Sequence, residues 1–284
     1  MIGARGPRRI AVLSDIHGHL RGLEATAEDI AVWAPDRVVV AGDIVNRGPL
    51  SVDCLAFVLA RVADSGWHFL RGNHESYVIN VANGEPAMIG LMEVVRQSVI
   101  WTYQQLGSVA PLMTLLDRLA FAGPDGGEVR IVHGSMRGER DNVLADATDE
   151  LLREQIAPAP TLFCCSHTHR GFVRRLDQTL VVNTGSAGLP FDGDPRACYA
   201  RLEWDEAGWS ATLQRVAYDR AQAEIDLFAS GFMASAGLFG MIVHRELQTA
   251  RPMVGGWLYG YQERVAAGEI SAEEATAAFL AANT

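Results

Sequence analysis

Ile10-Ala11-Val12-Leu13-Ser14-Asp15-Ile16-His17-Gly18 is a short apolar run that ends in an acid, one spacer, a histidine and a glycine. Such a run, bounded by polar residues, reads as a buried strand. Side chains alternate along a strand, so Asp15 and His17 are expected to point to one side and share a metal ion. Gly18 then lets the backbone turn sharply into a helix. The pattern recurs downstream. Leu20 to Trp33 has a helical apolar face, and Pro35 stops it. Arg37 to Ala41 is a second buried strand, which runs through Gly42 into Asp43. After the loop Asn46-Arg47-Gly48-Pro49, a second helix is expected from about Ser51 to Asp64. Trp67 to Leu70 is a third strand, ending in Arg71-Gly72-Asn73-His74-Glu75. Three strand–helix repeats, each with polar residues at the strand's end, predict a helix-covered sheet with a site along its C-terminal edge.

Residues 76 to 118 read as mainly helical, with breaks at Asn83-Gly84-Glu85-Pro86 and near Ala110-Pro111. Strands are expected at Glu128–Val132, Thr161–Cys165 and Leu180–Val182. They run into His133-Gly134-Ser135, Ser166-His167-Thr168-His169 and Asn183-Thr184-Gly185-Ser186. A short helix is expected at Asp149–Ile156. Cys198 to Trp204 and Trp209 to Ala217 form a hairpin across Asp205-Glu206-Ala207-Gly208. From Ala221 the strand signals stop, and four helical stretches follow, the last with Ser271 and Glu274 as a capping box. The expected division is a core over residues 1–219 and a helical extension over 220–284.

The bulk numbers narrow the function classes. The 284 residues are 49% apolar and 20% charged, an ordinary globular balance, with 24 Lys and Arg against 34 Asp and Glu. A formal net charge of −10 argues against a protein that grips a nucleic-acid polymer. It leaves small phosphorylated substrates open, because a bound metal reverses the local sign. Cys54, Cys164, Cys165 and Cys198 show no paired spacing and read as buried, reduced thiols. The basic stretch Met1 to Arg9 lacks an apolar signal core, and the apolar stretch Ala234 to Val243 is too short to span a bilayer. The expectation is a cytoplasmic protein with no membrane partner.

Asp15, His17, Asp43, Asn73, His133, His167 and His169 all follow strand-like runs and can meet in one cleft. Seven ligands are too many for one ion and enough for two, provided a carboxylate bridges. Carboxylate, imidazole and amide oxygen suit divalent Mn, Fe, Zn, Co, Ni or Mg. Two such ions about 3.5–4 Å apart are the usual device for phosphate-ester hydrolysis.

The ordered series Asp15-x-His17, Gly42-Asp43, Gly72-Asn73-His74-Glu75, His133-Gly134 and His167-x-His169 resembles the calcineurin-like metallophosphoesterase superfamily over about residues 10 to 217. The resemblance implies an α/β four-layer sandwich of two mixed β-sheets flanked by helices. It implies that Asp15, His17 and His169 hold one metal and Asn73, His133 and His167 the other. Asp43 would bridge them, and manganese is the metal expected to support activity. Attack would come from a metal-bridging hydroxide in line with the leaving group, which His74 would protonate or stabilise. Ser166 departs from the family's usual glycine. Gly42-Asp-Ile-Val-Asn-Arg47-Gly-Pro49 is similar to a block of serine/threonine protein phosphatases and dinucleoside tetraphosphate hydrolases, in which the matching arginine grips a phosphate. The later Asn183-Thr-Gly-Ser186 and Asp192-Gly-Asp-Pro-Arg196 segments are similar to small bacterial and archaeal phosphodiesterases. Arg196 would either reach the substrate or brace its loop. The expected substrate is a small phosphodiester or nucleotide, with the protein phosphatase and the tetraphosphate hydrolase as alternatives. A catalytically silent scaffold of this fold would lack part of the ligand set. His19 is expected behind the ligands or at the rim rather than as a ligand, and His68 and His244 as packing or surface residues. The C-terminal helices could cover the cleft or form a homodimer.

Overall fold

In the computed structural model, which describes residues 6–283, the apolar runs form two five-stranded sheets. The first half of the chain runs β1 (Arg9–Leu13), α1 (Leu20–Trp33), β2 (Arg37–Val40), α2 (Ser51–Ser65) and β3 (His68–Phe69). Next come α3 (Asn73–Ala82), α4 (Leu91–Leu106), α5 (Ala110–Met113), β4 (Arg118–Ala122), β5 (Glu128–Val132) and α6 (Asp149–Ile156). The chain continues through β6 (Leu162–Cys165), β7 (Phe172–Leu176), β8 (Thr179–Asn183), β9 (Ala197–Asp205) and β10 (Gly208–Val216). It ends in α7 (Arg220–Ala229), α8 (Phe232–Thr249), α9 (Val254–Ala266) and α10 (Ala272–Ala282). The basic stretch expected at Met1–Arg9 lies partly outside the described residues.

One sheet has the order β10-β9-β1-β2-β3 and the other β4-β5-β6-β8-β7. In the first, β1, β2 and β3 pair in parallel and β9 pairs antiparallel with β1 and β10; in the second, β5, β6 and β8 pair in parallel and the edge strands β4 and β7 antiparallel, so both sheets are mixed. The period of two sorts β1 between two cores. Ile10 and Val12 face the other sheet and pack with Val39, Ile131, Cys164 and Val182. Ala11 and Leu13 face α1 and α2, meeting Leu23, Ile30, Leu55 and Val58. On the far side, Phe163, Cys165 and Val181 pack under α6 through Leu152 and Ile156. The result is the expected four-layer sandwich. Burying each such side chain stabilises the fold by about 1.5–3 kcal/mol.

Two strands were not expected from the sequence. β4 and β7 are edge strands whose residues, apart from the buried Leu176, alternate between exposed and partly exposed positions. Their half-polar sequences, RLAFA and FVRRL, lack the continuous apolar signal of a central strand. β3 is also shorter than the Trp67–Leu70 run, and a helix begins already at Asn73. The first turn of α3 therefore carries Asn73, His74 and Glu75.

The helices after Asp219 share a core with earlier elements. Phe232, Phe239, Val243 and Trp257 pack with Leu91 and Trp101 of α4 and with Leu189 and Phe191. The expected capping box closes α10: Ser271 Oγ accepts from the Glu274 N–H, and the Glu274 carboxylate accepts from the Ser271 N–H. Among the described residues, no helix is long and apolar enough to cross a membrane. All four cysteines are buried and unpaired.

Candidate metal centre

The loops that leave β1, β2, β5 and β6, together with the first turn of α3, meet at one point. Asp15 and His17 do not lie on the strand itself, because β1 stops at Leu13. Both adopt left-handed backbone angles, with φ of 52° and 51°. The alternation argument is thus replaced by a strained loop that still brings the two side chains together. Among the described residues, ten non-glycine positions have positive φ, and seven of them are Asp15, His17, Asp43, Asn46, Arg47, His167 and His169. Each costs roughly 1–3 kcal/mol, so the strain is concentrated where chemistry is expected. Gly72 is required sterically, since a Cβ there would collide with Asp43 Oδ1.

Donor atoms converge in two overlapping sets. In the first, His17 Nε2 and His169 Nε2 are 3.1 Å apart, and Asp15 Oδ1 lies 3.4 Å from His169 Nε2. In the second, His133 Nε2 lies 3.2 Å from Asp43 Oδ2 and 2.9 Å from Asn73 Oδ1, and the His167 ring lies edge-on to the His133 ring. Asp43 Oδ2 also lies 3.6 Å from His17 Nε2, so this one carboxylate faces both sets. Ligand atoms of Asp15, His17 and His169 lie within 4.8 Å of one another, as do those of Asp43, His133 and His167 and those of His17, Asp43 and His74.

Supporting contacts fix which ring nitrogen faces inward. His133 Nδ1 bonds the Ala41 carbonyl at 2.8 Å, and His169 Nδ1 bonds the Leu189 carbonyl at 2.6 Å. Nδ1 must be the donor in both, leaving Nε2 to the centre. Ser166, the departure from glycine, fits without disturbance: its hydroxyl lies 3.1 Å from Ala41 O and 3.0 Å from His133 O. Glu75 holds the Asp43 loop. Its carboxylate accepts from the N–H groups of Asp43, Ile44, Val45 and Gly72 at 2.8, 2.7, 3.2 and 2.8 Å.

Burial and charge set the protonation states. Burial disfavours ionisation of Asp43, but His133 and His74 outweigh it and hold this carboxyl well below the usual range. Burial pushes Asp15 up to about 7 against the pull of His133. Glu75 rises to about 7 through burial and the nearby Asp43 charge. His133 resists burial because Asp43 and Asp15 favour its cation, which lifts it to about 10. Burial holds His17 and His169 well below the usual imidazole range, and His74 and His167 down to about 4. Those four rings are neutral, the form that ligates a metal.

The arrangement fits a cation. Asp15 Oδ1 is buried without a hydrogen-bond partner, beside two imidazole nitrogens that face each other. Electron-pair donors crowded into a dry site are satisfied by a positive ion.

A family model described as calcineurin-like phosphoesterase matches residues 8–193, which contain every donor named above. The chain belongs to the calcineurin-like phosphoesterase family. Among its relatives, human serine/threonine-protein phosphatase with EF-hands 2 is 30% identical over 141 residues, covering 48% of this chain and 18% of that protein. The chain thus spans under a fifth of the length of the EF-hand phosphatases it matches, 18% for the human and 17% for the mouse protein. The bis(5′-nucleosyl)-tetraphosphatase (asymmetrical) of Bacillus subtilis is 24% identical over 149 residues, 45% of this chain and 58% of that one. A metallophosphoesterase from Sphaerobacter thermophilus shares the fold with a TM-score of 0.67 at 24% identity, over 86% of this chain and all of that one.

This calcineurin-like centre gathers all the expected ligands, and His74 joins them. The His74 ring packs edge-on against His17 at 4.5 Å, and its backbone N–H donates to Asp43 Oδ1 at 2.9 Å. Arg47 also lies close by, with its guanidinium 5.1 Å over the Phe191 ring, which stacks on His169 at 4.3 Å. One Arg47 terminal nitrogen bonds both oxygens of Glu246, each at 2.7 Å. Arg196 is not brought in: it is exposed and bonds Asp194 at 3.0 and 2.6 Å. His19 is buried, and His68 is half-buried in the edge strand β3. His244 bonds Glu224 on the neighbouring helix. Sequence reasoning missed the roles of Asn46 and Glu246. Glu75 was visible only as part of the Gly-Asn-His-Glu block, and Glu246 is 199 residues from its partner.

Proposed function

We propose that the protein is a phosphoesterase that uses two divalent metal ions to hydrolyse a small phosphodiester or nucleotide. Asp15, His17 and His169 hold one ion, Asn73, His133 and His167 hold the other, and Asp43 bridges them. The observation that carries this reading is the position of Asp43 Oδ2, 3.6 Å from His17 Nε2 and 3.2 Å from His133 Nε2, between two donor sets. When bound, two divalent cations supply the Lewis acidity that ionises a water near neutral pH and offsets charge on the phosphate.

The remaining work falls to side chains. The Asn46 amide nitrogen faces His74 Nδ1 at 3.0 Å. That leaves the His74 ring proton on Nε2. From there the neutral ring donates its Nε2–H as a hydrogen bond that stabilises charge on the leaving oxygen. Arg47 Nε is buried without a partner, so a guanidinium edge stays available to a phosphate oxygen after Glu246 is satisfied. Arg196 braces its own loop through Asp194. The buried thiols fit a reducing, cytoplasmic setting.

His74→Ala is expected to lower kcat by ~10²–10³-fold, the cost of removing one hydrogen-bond donor to a developing oxyanion, with both metals retained. Metal analysis of the variant checks this; loss of an ion would move His74 into the ligand set.

The test of the whole reading is hydrolysis of bis(p-nitrophenyl) phosphate by protein loaded in turn with Mn, Fe, Zn, Co, Ni or Mg. Two ions per chain and the highest rate with Mn are expected. Saturation at a hundred times Kd should also stabilise the fold by ~2.7 kcal/mol per site, read from the melting temperature. No turnover with any metal and no thermal response would sink the proposal. The matches to a protein phosphatase and a nucleosyl tetraphosphatase favour a second reading of the substrate. A screen of mononucleotides, 2′,3′-cyclic nucleotides, dinucleoside polyphosphates and phosphopeptides separates these.

A further inference from the structure

Two cavities flank the centre, and they differ in chemistry. One, of about 670 Å³, borders His133 and is walled by charged side chains that include Arg71, Asp117, Arg118 and Arg137. The other, of about 300 Å³, borders His74 and Arg47. Its walls are mainly apolar: Tyr77 from α3, Val95 and Val99 from α4, Phe239 from α8, and Val254 and Leu258 from α9. Asn80, Glu85, Arg96 and Arg140 add a few polar groups to the lining.

The position of His74 decides how the smaller cavity is used. His74 lines this cavity, so a leaving group whose oxygen His74 serves has this space beside it. Its volume is at the lower limit for small-ligand pockets, ~300 Å³, which suits one ring system and excludes a folded partner. Tyr77 stacks edge-on against His74 at 5.2 Å, continuing an aromatic wall outward from the centre. An apolar slot with a few polar groups at its edge matches a flat heterocycle or aryl ring, whose faces are apolar and whose edge carries hydrogen-bonding atoms.

We propose that the cavity between α3, α4, α8 and α9 is a leaving-group site for a planar, largely apolar organic group of nucleoside size. The C-terminal helices are then a specificity element, because Phe239, Val254 and Leu258 form one whole wall. The calcineurin-like match ends at residue 193, so this wall belongs to the part of the chain beyond it. The inference depends on the phosphoesterase reading only in calling the bound group a leaving group; binding itself needs no turnover.

The first measurement uses the wild-type chain and no reaction. Met88 and Met92 line the cavity, and their methyl signals should shift when adenosine or p-nitrophenol is titrated in. Absence of any shift from either probe up to millimolar concentration would overturn the proposal, even if the protein hydrolyses phosphate esters. Conversely, shifts in a protein without hydrolytic activity would retain the site and fail only the phosphoesterase reading. The second measurement fills the slot. In Leu258→Trp, or in Val99→Phe from the opposite wall, probe affinity should fall at least tenfold. The ratio of kcat/KM for a mononucleotide to that for β-glycerophosphate should fall equally. A folded variant with probe affinity and ratio both within twofold of wild type would exclude the cavity as the site.

Discussion

Asp43→Asn is expected to lower kcat/KM by roughly 10³-fold or more while the protein stays folded. Lewis-acid stabilisation by metal ions is worth several kcal/mol, and each ~1.4 kcal/mol is a factor of ten in rate. The substitution keeps the shape and the backbone contacts. Glu75 still holds the N–H groups of residues 43, 44 and 45, and Oδ1 still accepts from His74 N at 2.9 Å. What disappears is the negative charge between His17 and His133. The introduced amide N–H₂ would take the place of the oxygen that both donor sets face. Metal analysis should therefore find fewer than two ions per chain, and steady-state assays should find the activity loss. Unchanged turnover together with unchanged metal content would remove Asp43 from the bridging role and, with it, the two-ion proposal.

The candidate ligands were legible in the sequence for a reason only partly right. Asp15 and His17 do share a site, but through left-handed loop residues rather than strand alternation. Aspartate, asparagine and histidine tolerate that backbone region better than most residues. A ligand at a strand end and a strained turn thus ask for the same residue types, and the motif records both. Apolar runs revealed the central strands because those strands are buried on both faces. β4 and β7 stayed hidden because an edge strand keeps only part of that signal. Sequence also located the four C-terminal helices and the α10 cap. It was silent on what they touch, since no local pattern encodes a contact spanning 199 residues.

That contact carries the second large effect: Glu246→Ala is expected to destabilise the protein by ~3–5 kcal/mol. Glu246 is fully buried, and it does three things at once. It accepts from Arg47, whose side chain is 12% exposed, at 2.7 Å on both oxygens. It also accepts from the N–H groups of Met253 and Val254, at 2.7 and 3.0 Å, where α9 begins. A carboxylate there satisfies helix N–H groups that have no partner within the helix and suits the helix dipole. Alanine leaves a buried guanidinium without its counter-charge and the start of α9 uncapped. Glutamine keeps the acceptor oxygen and the shape, so Glu246→Gln should cost less than Glu246→Ala. The pair can be separated from the cap by a double-mutant cycle. Arg47→Ala removes the ion pair and leaves the two N–H bonds in place. The double variant should then be more stable than the sum of the single losses predicts, with a coupling of ~0.5–3 kcal/mol. Thermal or urea unfolding of the four proteins reads this directly. Strict additivity would mean that Arg47 and Glu246 do not stabilise each other. Arg47 would then be held by packing alone, on the Phe191 ring beneath it.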